Sequence, residues 1–262
     1  MKDHTHSEHA HRPHAGQGHT GGQPGIRHAF KLDHKLSPEE INRLDIAAYR
    51  GPIHLVRTRA QMRAAVGELR HETLVGFDTE KRPSFAKGES HAPALIQLAG
   101  RKAVYVFQLH VIGLPAELTA ILADPRIIKA GVATGRDLHE LQALAEFEPR
   151  GFVDLGTCAM KSGMKHHGLR GLAALLLGCR ISKSAQLTNW ERQDLPERAL
   201  QYAATDAWIG RRIYEAMKEH GCLGDASHAA ASSSHDVQRK GLWHRAKAAL
   251  AGIVRGARRR GR

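Results

Sequence analysis

The apolar run Val75-Gly76-Phe77 leads into Asp78-Thr79-Glu80, so two carboxylates stand two residues apart at the end of a predicted strand. Alternation along a strand turns both to the same side of the sheet. Like charges this close need a compensating cation, and hard oxygen donors suit Mg2+ or Mn2+ better than zinc. Without a cation the pair is simply a solvated strand terminus. Far downstream, Gln201-Tyr202-Ala203-Ala204-Thr205-Asp206-Ala207 lies in a helical stretch, where a spacing of four puts Tyr202 and Asp206 on one face. The alanines around them let that face lie close to a sheet, which buries the acid and leaves it in need of a metal or a donor. The plainer alternative is a Tyr-to-Asp hydrogen bond on a helix surface. Between these two sites, Asp137 follows Lys129-Ala130-Gly131-Val132 at a strand-to-helix turn, a position where the helix dipole alone favours an acid. None of the three signals is specific by itself. Their weight comes from their order and from the element types that carry them.

Those elements follow from hydrophobic period and punctuation. Strands are predicted at 52–56, 74–77, 94–99, 104–109 and 127–132, with Gly100-Arg101-Lys102 as a tight hairpin turn. Helical spacing covers 59–69, 115–122, 137–144, 155–161, 169–177 and 196–217, the last opening on Pro and Glu. Strands first, then alternation, then helices indicate an α/β mixed sheet flanked by helices.

Asp-x-Glu after a strand, Asp at a strand-to-helix turn and Tyr-x-x-x-Asp in a late helix resemble the pattern of the DEDDy, or DnaQ-like, 3'-5' exonucleases. Further segments are similar to the Werner-type, ribonuclease D-related exonuclease domain: Lys81-Arg82-Pro83-Ser84-Phe85, Leu95-Ile96-Gln97-Leu98, Val104-Tyr105-Val106-Phe107, Lys129-Ala130-Gly131-Val132, and Lys183 followed by Asn189-Trp190. The resemblance implies a ribonuclease H-like (DnaQ-like exonuclease) fold with about five strands. It implies hydrolysis of DNA or RNA from the 3' end, with two divalent cations, Mg2+ or Mn2+, as cofactors and no nucleotide cofactor. The residue matching Asp78 bridges both ions, those matching Glu80 and Asp206 help hold the ion that activates water, the one matching Asp137 serves the second ion, and the one matching Tyr202 orients the water. It also implies contacts to the terminal nucleotide near Leu95 and Gln97.

Arg82 and Lys87 follow the first acidic motif and suit phosphate contact, or simply a solvated loop. Lys183 and Trp190 sit in a polar loop near the implied active-site mouth, where Trp190 either stacks a base or, the preferred reading, packs the core. His166 and His167 have no acid or cysteine at ligand spacing and read as a surface turn. An inactive nucleic-acid-binding module and a ribonuclease D-like exoribonuclease are the competing functions. The residues after Met217 are too few for the further helical domains of ribonuclease D, and Arg82-Pro83-Ser84-Phe85 favours the Werner type.

The boundaries expected are a disordered His/Gly-rich arm and linker over 1–50, the exonuclease domain over 51–220, and a basic tail over 221–262 in which Leu242, Trp243, Ala246, Leu250 and Ile253 form an amphipathic stripe. The formal net charge is +13, and residues 219–262 carry nine Lys and Arg against three Asp and Glu, a balance suited to a polyanionic partner. Three cysteines without C-x-x-C spacing argue against a disulfide framework or structural zinc. With no apolar leader or spanning run, a soluble, reducing, cytoplasmic setting is expected.

Overall fold

The computed structural model describes residues 31–86 and 89–224. Lys87, the histidine-rich arm and the amphipathic stripe lie outside the described residues. The chain forms α1 (Pro38–Arg43), β1 (Ile53–Val56), α2 (Arg59–Leu69), β2 (Leu74–Lys81), β3 (Pro93–Ala99), β4 (Val104–Gln108), α3 (Leu109–Ile112), α4 (Ala116–Ala123), β5 (Ile128–Gly131), α5 (Thr134–Leu144), β6 (Phe152–Asp154), α6 (Leu155–Lys161), α7 (Leu169–Leu177) and α8 (Glu197–Glu219). The six strands form one mixed sheet in the order β1-β4-β3-β2-β5-β6. The β2/β3 and β3/β4 pairs are antiparallel, whereas β1/β4, β2/β5 and β5/β6 are parallel.

The mixed sheet of about five strands expected from the sequence is present, with β6 as a short sixth strand at its edge. Three residues are too short to show a period, and of them only Val153 is buried. Asp154 at its end gives the turn a second role: its carboxylate accepts from Thr157 N–H at 2.8 Å and from Thr134 N–H at 3.0 Å, capping α6 and tying it to α5.

One correction concerns residues 35–50, expected to be linker. Ser37 and Glu40 make a reciprocal capping box that starts α1, and Leu36, Ile41 and Tyr49 are buried against the domain. These apolar residues are too widely spaced to give a helical or strand period, so each buries separately. The segment runs on beside Arg180, with Ala47 N–H donating to the Arg180 carbonyl at 2.8 Å and Arg180 N–H to the Asp45 carbonyl at 3.0 Å.

Alternation in β2 sorts its side chains between the two faces. Val75 and Phe77 pack with Met62, Leu69, Leu118, Leu122 and Leu141 from α2, α4 and α5. Gly76 faces α8, whose Ala203, Ala204, Ala207 and Gly210 form a small-residue surface that lets the helix lie directly on the sheet. Arg211 fastens the contact, donating to the Leu74 carbonyl and pairing with Glu72 at 3.4 Å.

Lys129 on β5 has no exposed surface. Its ammonium donates to the Asp124 carbonyl at 2.7 Å and lies 5.1 Å from the centre of the Phe152 ring. Burial lowers its pKa to about 7, against a smaller opposing pull from Asp124. Because the folded pKa is below the unfolded one, the unfolded chain binds more protons between these values, and stability contributed here rises as pH goes from about 7 to about 10. Lys129→Met removes this dependence. Urea unfolding of the two proteins at pH 6.5 and 9.5 is expected to move the stability difference towards the unaltered chain at the higher pH; a difference that stays constant rules the account out.

Candidate active site

β2 and α8 together bring the first and last acidic motifs to one point. Asp78 and Glu80 project from the α8 side of β2, and Asp206 meets them from the helix, so that one carboxylate oxygen of each lies within 4.8 Å of the others. They open onto a cleft of about 430 Å3 that Tyr202, Val132, Leu169 and Gln186 also line. The Tyr202 hydroxyl lies beside the Asp206 carboxyl, as the spacing of four permits.

The electrostatics of this group are unfavourable without a cation. Burial, then the charges of Asp206 and Asp137, hold the Asp78 carboxyl well above the usual range. Burial, then Asp78, Asp206 and Asp137, push Glu80 up to about 9. Burial raises Asp206 to about 7, opposed by the Tyr202 hydroxyl. Burial and the neighbouring acids raise Tyr202 as well, so its hydroxyl stays protonated and remains a donor. Oδ1 of Asp206 is buried and has no hydrogen-bond partner among the described residues. A buried orphan oxygen beside two further carboxylates fits a divalent cation held by hard oxygen donors.

Asp137 stands apart from this trio. It lies in the first turn of α5, reached through Ala133, whose left-handed φ of 56° turns the chain sharply after β5. Thr79 points to the α5 side of β2, beside the Asp137 carboxyl, which burial holds above its usual pKa against the lowering influence of Thr79. Lys81 and Glu140 close the same junction at 2.8 Å. Asp137 therefore approaches from the opposite face, near enough to repel Asp78 and Glu80 but outside the tight group of three and not among the residues that line the cleft.

The expected substrate contacts divide. Arg82 is exposed and pairs at 3.7 Å with Glu191, bridging the end of β2 to the 182–195 loop, and Lys183 is exposed on that loop. Leu95 and Gln97 are corrected: both are 0% exposed. They pair with Glu80 and Asp78 across β2/β3 and share their face, but α8 covers them, so they support the site from beneath rather than touching a nucleotide. Trp190 is also fully buried, among Leu95, Ala185 and Ala203, with its ring 6.1 Å from that of Tyr202. It packs the core behind the tyrosine. Gln186, which lines the cleft, carries little signal in the sequence beyond its place three residues after Lys183, and sequence reasoning missed it.

Residues 53–221 match the family described as 3'-5' exonuclease, which is well over half of the chain. The chain belongs to the 3'-5' exonuclease family. Within it, this chain is 30% identical over 177 residues to a ribonuclease D of Gluconacetobacter diazotrophicus, a match covering 66% of this chain and 44% of that protein. It is 32% identical over 160 residues to the bifunctional 3'-5' exonuclease/ATP-dependent helicase WRN of Mus musculus, covering 59% of this chain and 11% of that protein. The exonuclease chain thus spans less than half the length of either relative. The crystal structure of the Aedes aegypti Nibbler EXO domain has the same fold, with a TM-score of 0.62 and 23% identity over 71% of this chain and 98% of that one. Fold and family agree with the ribonuclease H-like, exonuclease-type reading of the sequence.

Proposed function

We propose that this chain is a divalent-metal-dependent 3'-5' exonuclease that hydrolyses phosphodiester bonds of DNA or RNA and releases nucleoside 5'-monophosphates. The observation that carries this is the meeting of Asp78, Glu80 and Asp206 oxygens within 4.8 Å in an open cleft beside Tyr202. Asp78, Glu80 and Asp206 would hold one ion, and Asp78 with Asp137 a second; Mg2+ and Mn2+ suit these donors. Such ions, when bound, lower the pKa of water and neutralise charge on the phosphate. Tyr202, protonated and beside Asp206 in the cleft, is placed to orient the attacking water by hydrogen bonding. Asp137, in the first turn of α5, offers its carboxylate from the α5 side. Exposed Arg82 and Lys183 supply positive charge at the mouth. A reducing, cytoplasmic setting belongs to this reading, on the strength of three free cysteines. Among the described residues no helix is long and apolar enough to cross a membrane.

The test is digestion of 5'-labelled single-stranded DNA, duplex DNA and RNA by the full chain. Shortening from the 3' end, loss of activity in a chelator and its return with Mg2+ or Mn2+ are expected, with mononucleotides as product. Digestion that persists in the chelator, or no digestion of any of the three, rejects the proposal. Preference for RNA places the chain with its ribonuclease D relative in substrate, and preference for DNA with the helicase-linked one.

A further inference from the structure

A second cavity, of about 280 Å3, adjoins the acidic cleft and shares Tyr202 and Asp206 with it. Its distinctive lining is Arg50, Arg198, Ser182, Ser184 and Gln201. Asp206 apart, every charged residue lining it is an arginine. Both guanidinium groups belong to exposed residues, and neither has a carboxylate partner among the described residues.

The walls are fixed in place. Tyr49 N–H donates to Thr205 Oγ1 at 3.0 Å, and Gln201 Nε2 donates to the Tyr49 carbonyl at 3.3 Å, holding the chain just before Arg50 against α8. Across the opening, Ser182 Oγ and Ser184 Oγ lie 2.9 Å apart, and Ser184 N–H donates to Ser182 Oγ at 3.1 Å. Arg198 rises from the first turn of α8 between these segments.

We propose that this cavity is a phosphate subsite, which takes an internucleotide phosphate of the strand whose 3' end enters the acidic cleft. It rests on the exonuclease reading. No lysine or arginine lines the cleft itself, so side-chain attraction for the approaching strand has to come from elsewhere. Two guanidinium groups with adjacent hydroxyls supply forked donors that match phosphate oxygens. Because the subsite shares the Tyr202–Asp206 wall, a phosphate held there fixes the strand beside the reacting bond.

The test measures binding of a labelled single-stranded oligonucleotide to the full chain in a chelator, over a range of salt concentrations. R50A/R198A is expected to weaken binding roughly ten-fold at low salt and to reduce the slope of log affinity against log salt by about 0.7 for each phosphate that is no longer neutralised. R50K/R198K keeps the charges and is expected to keep the slope, which separates loss of the subsite from loss of the fold. R59A/R63A on exposed α2 removes the same charge and is expected to change little. Equal weakening in R50A/R198A and R59A/R63A, or none in either, overturns the proposal. In a parallel titration a nucleoside 5'-monophosphate replaces the strand; its affinity is expected to be insensitive to R50A/R198A, and a ten-fold loss there overturns the proposal in favour of a product-phosphate site. Failure of the unaltered chain to digest any oligonucleotide with metal rejects the exonuclease reading, whereas unaltered binding by R50A/R198A rejects only the subsite.

Discussion

Asp78→Asn is expected to reduce metal-dependent digestion roughly a thousand-fold or more while raising the thermal stability of the metal-free protein. The amide keeps the volume and hydrogen-bonding shape of the side chain but is a poor ligand. It also removes a group whose ionised form is disfavoured first by burial and then by Asp206 and Asp137, a cost the unfolded chain does not carry. A relief of about 1 kcal/mol corresponds to a rise of roughly 2–4 °C in Tm for a domain of this size. Saturating Mg2+ should reverse the order, because only the unaltered chain gains binding free energy, about 2.7 kcal/mol at a hundred times Kd. Thermal melts of both proteins with and without Mg2+ are the measurement. An Asp78→Asn protein that melts below the unaltered chain in the absence of metal shows that the acids support the fold, and defeats this account.

Gly76→Ala should damage stability and activity together. A Cβ at Gly76 meets the Ala207 carbonyl oxygen at 1.8 Å, the Ala207 carbonyl carbon at 2.8 Å and the Arg211 nitrogen at 2.9 Å. All three are backbone atoms, so no side chain can swing aside and α8 has to lift from β2. The cost is roughly 3 kcal/mol or more. The same displacement draws Asp206 away from Asp78 and Glu80, so digestion falls even at temperatures where the variant is folded. Gly67→Ala on α2 is the control, since a Cβ there meets nothing within 4 Å; it should stabilise the helix by about 0.5–1 kcal/mol. Urea unfolding distinguishes them, and a Gly76→Ala protein as stable as the unaltered chain would falsify the tight-seating argument.

The small-residue surface of α8 is legible in the sequence because it is local: alanines at helical spacing around Tyr202 and Asp206 state directly that the helix lies close to something. The Asp78/Glu80 pair is legible for the same reason, through the period of two in β2. What cannot be read is which residues share a face across strands. Leu95 and Gln97 stand opposite Glu80 and Asp78, and only the strand register, with α8 laid over it, shows that they are sealed beneath the site. Asp137 is found by type and position, but its approach from the α5 side depends on the left-handed turn at Ala133, a conformation that alanine does not announce. The brevity of β6 and the scattered apolar residues of the 36–49 segment leave no period to detect.

That segment bears on where the folding unit begins. Similarity to the family starts at residue 53, yet Leu36, Ile41 and Tyr49 are buried, and Tyr49 is hydrogen-bonded to Thr205, the neighbour of Asp206. Burial against the domain therefore begins about seventeen residues before the stretch that matches the family. A chain cut where that match begins would bare one flank of α8, leave the Thr205 hydroxyl and Gln201 amide facing water, and unbrace the helix turn that carries an acid of the site.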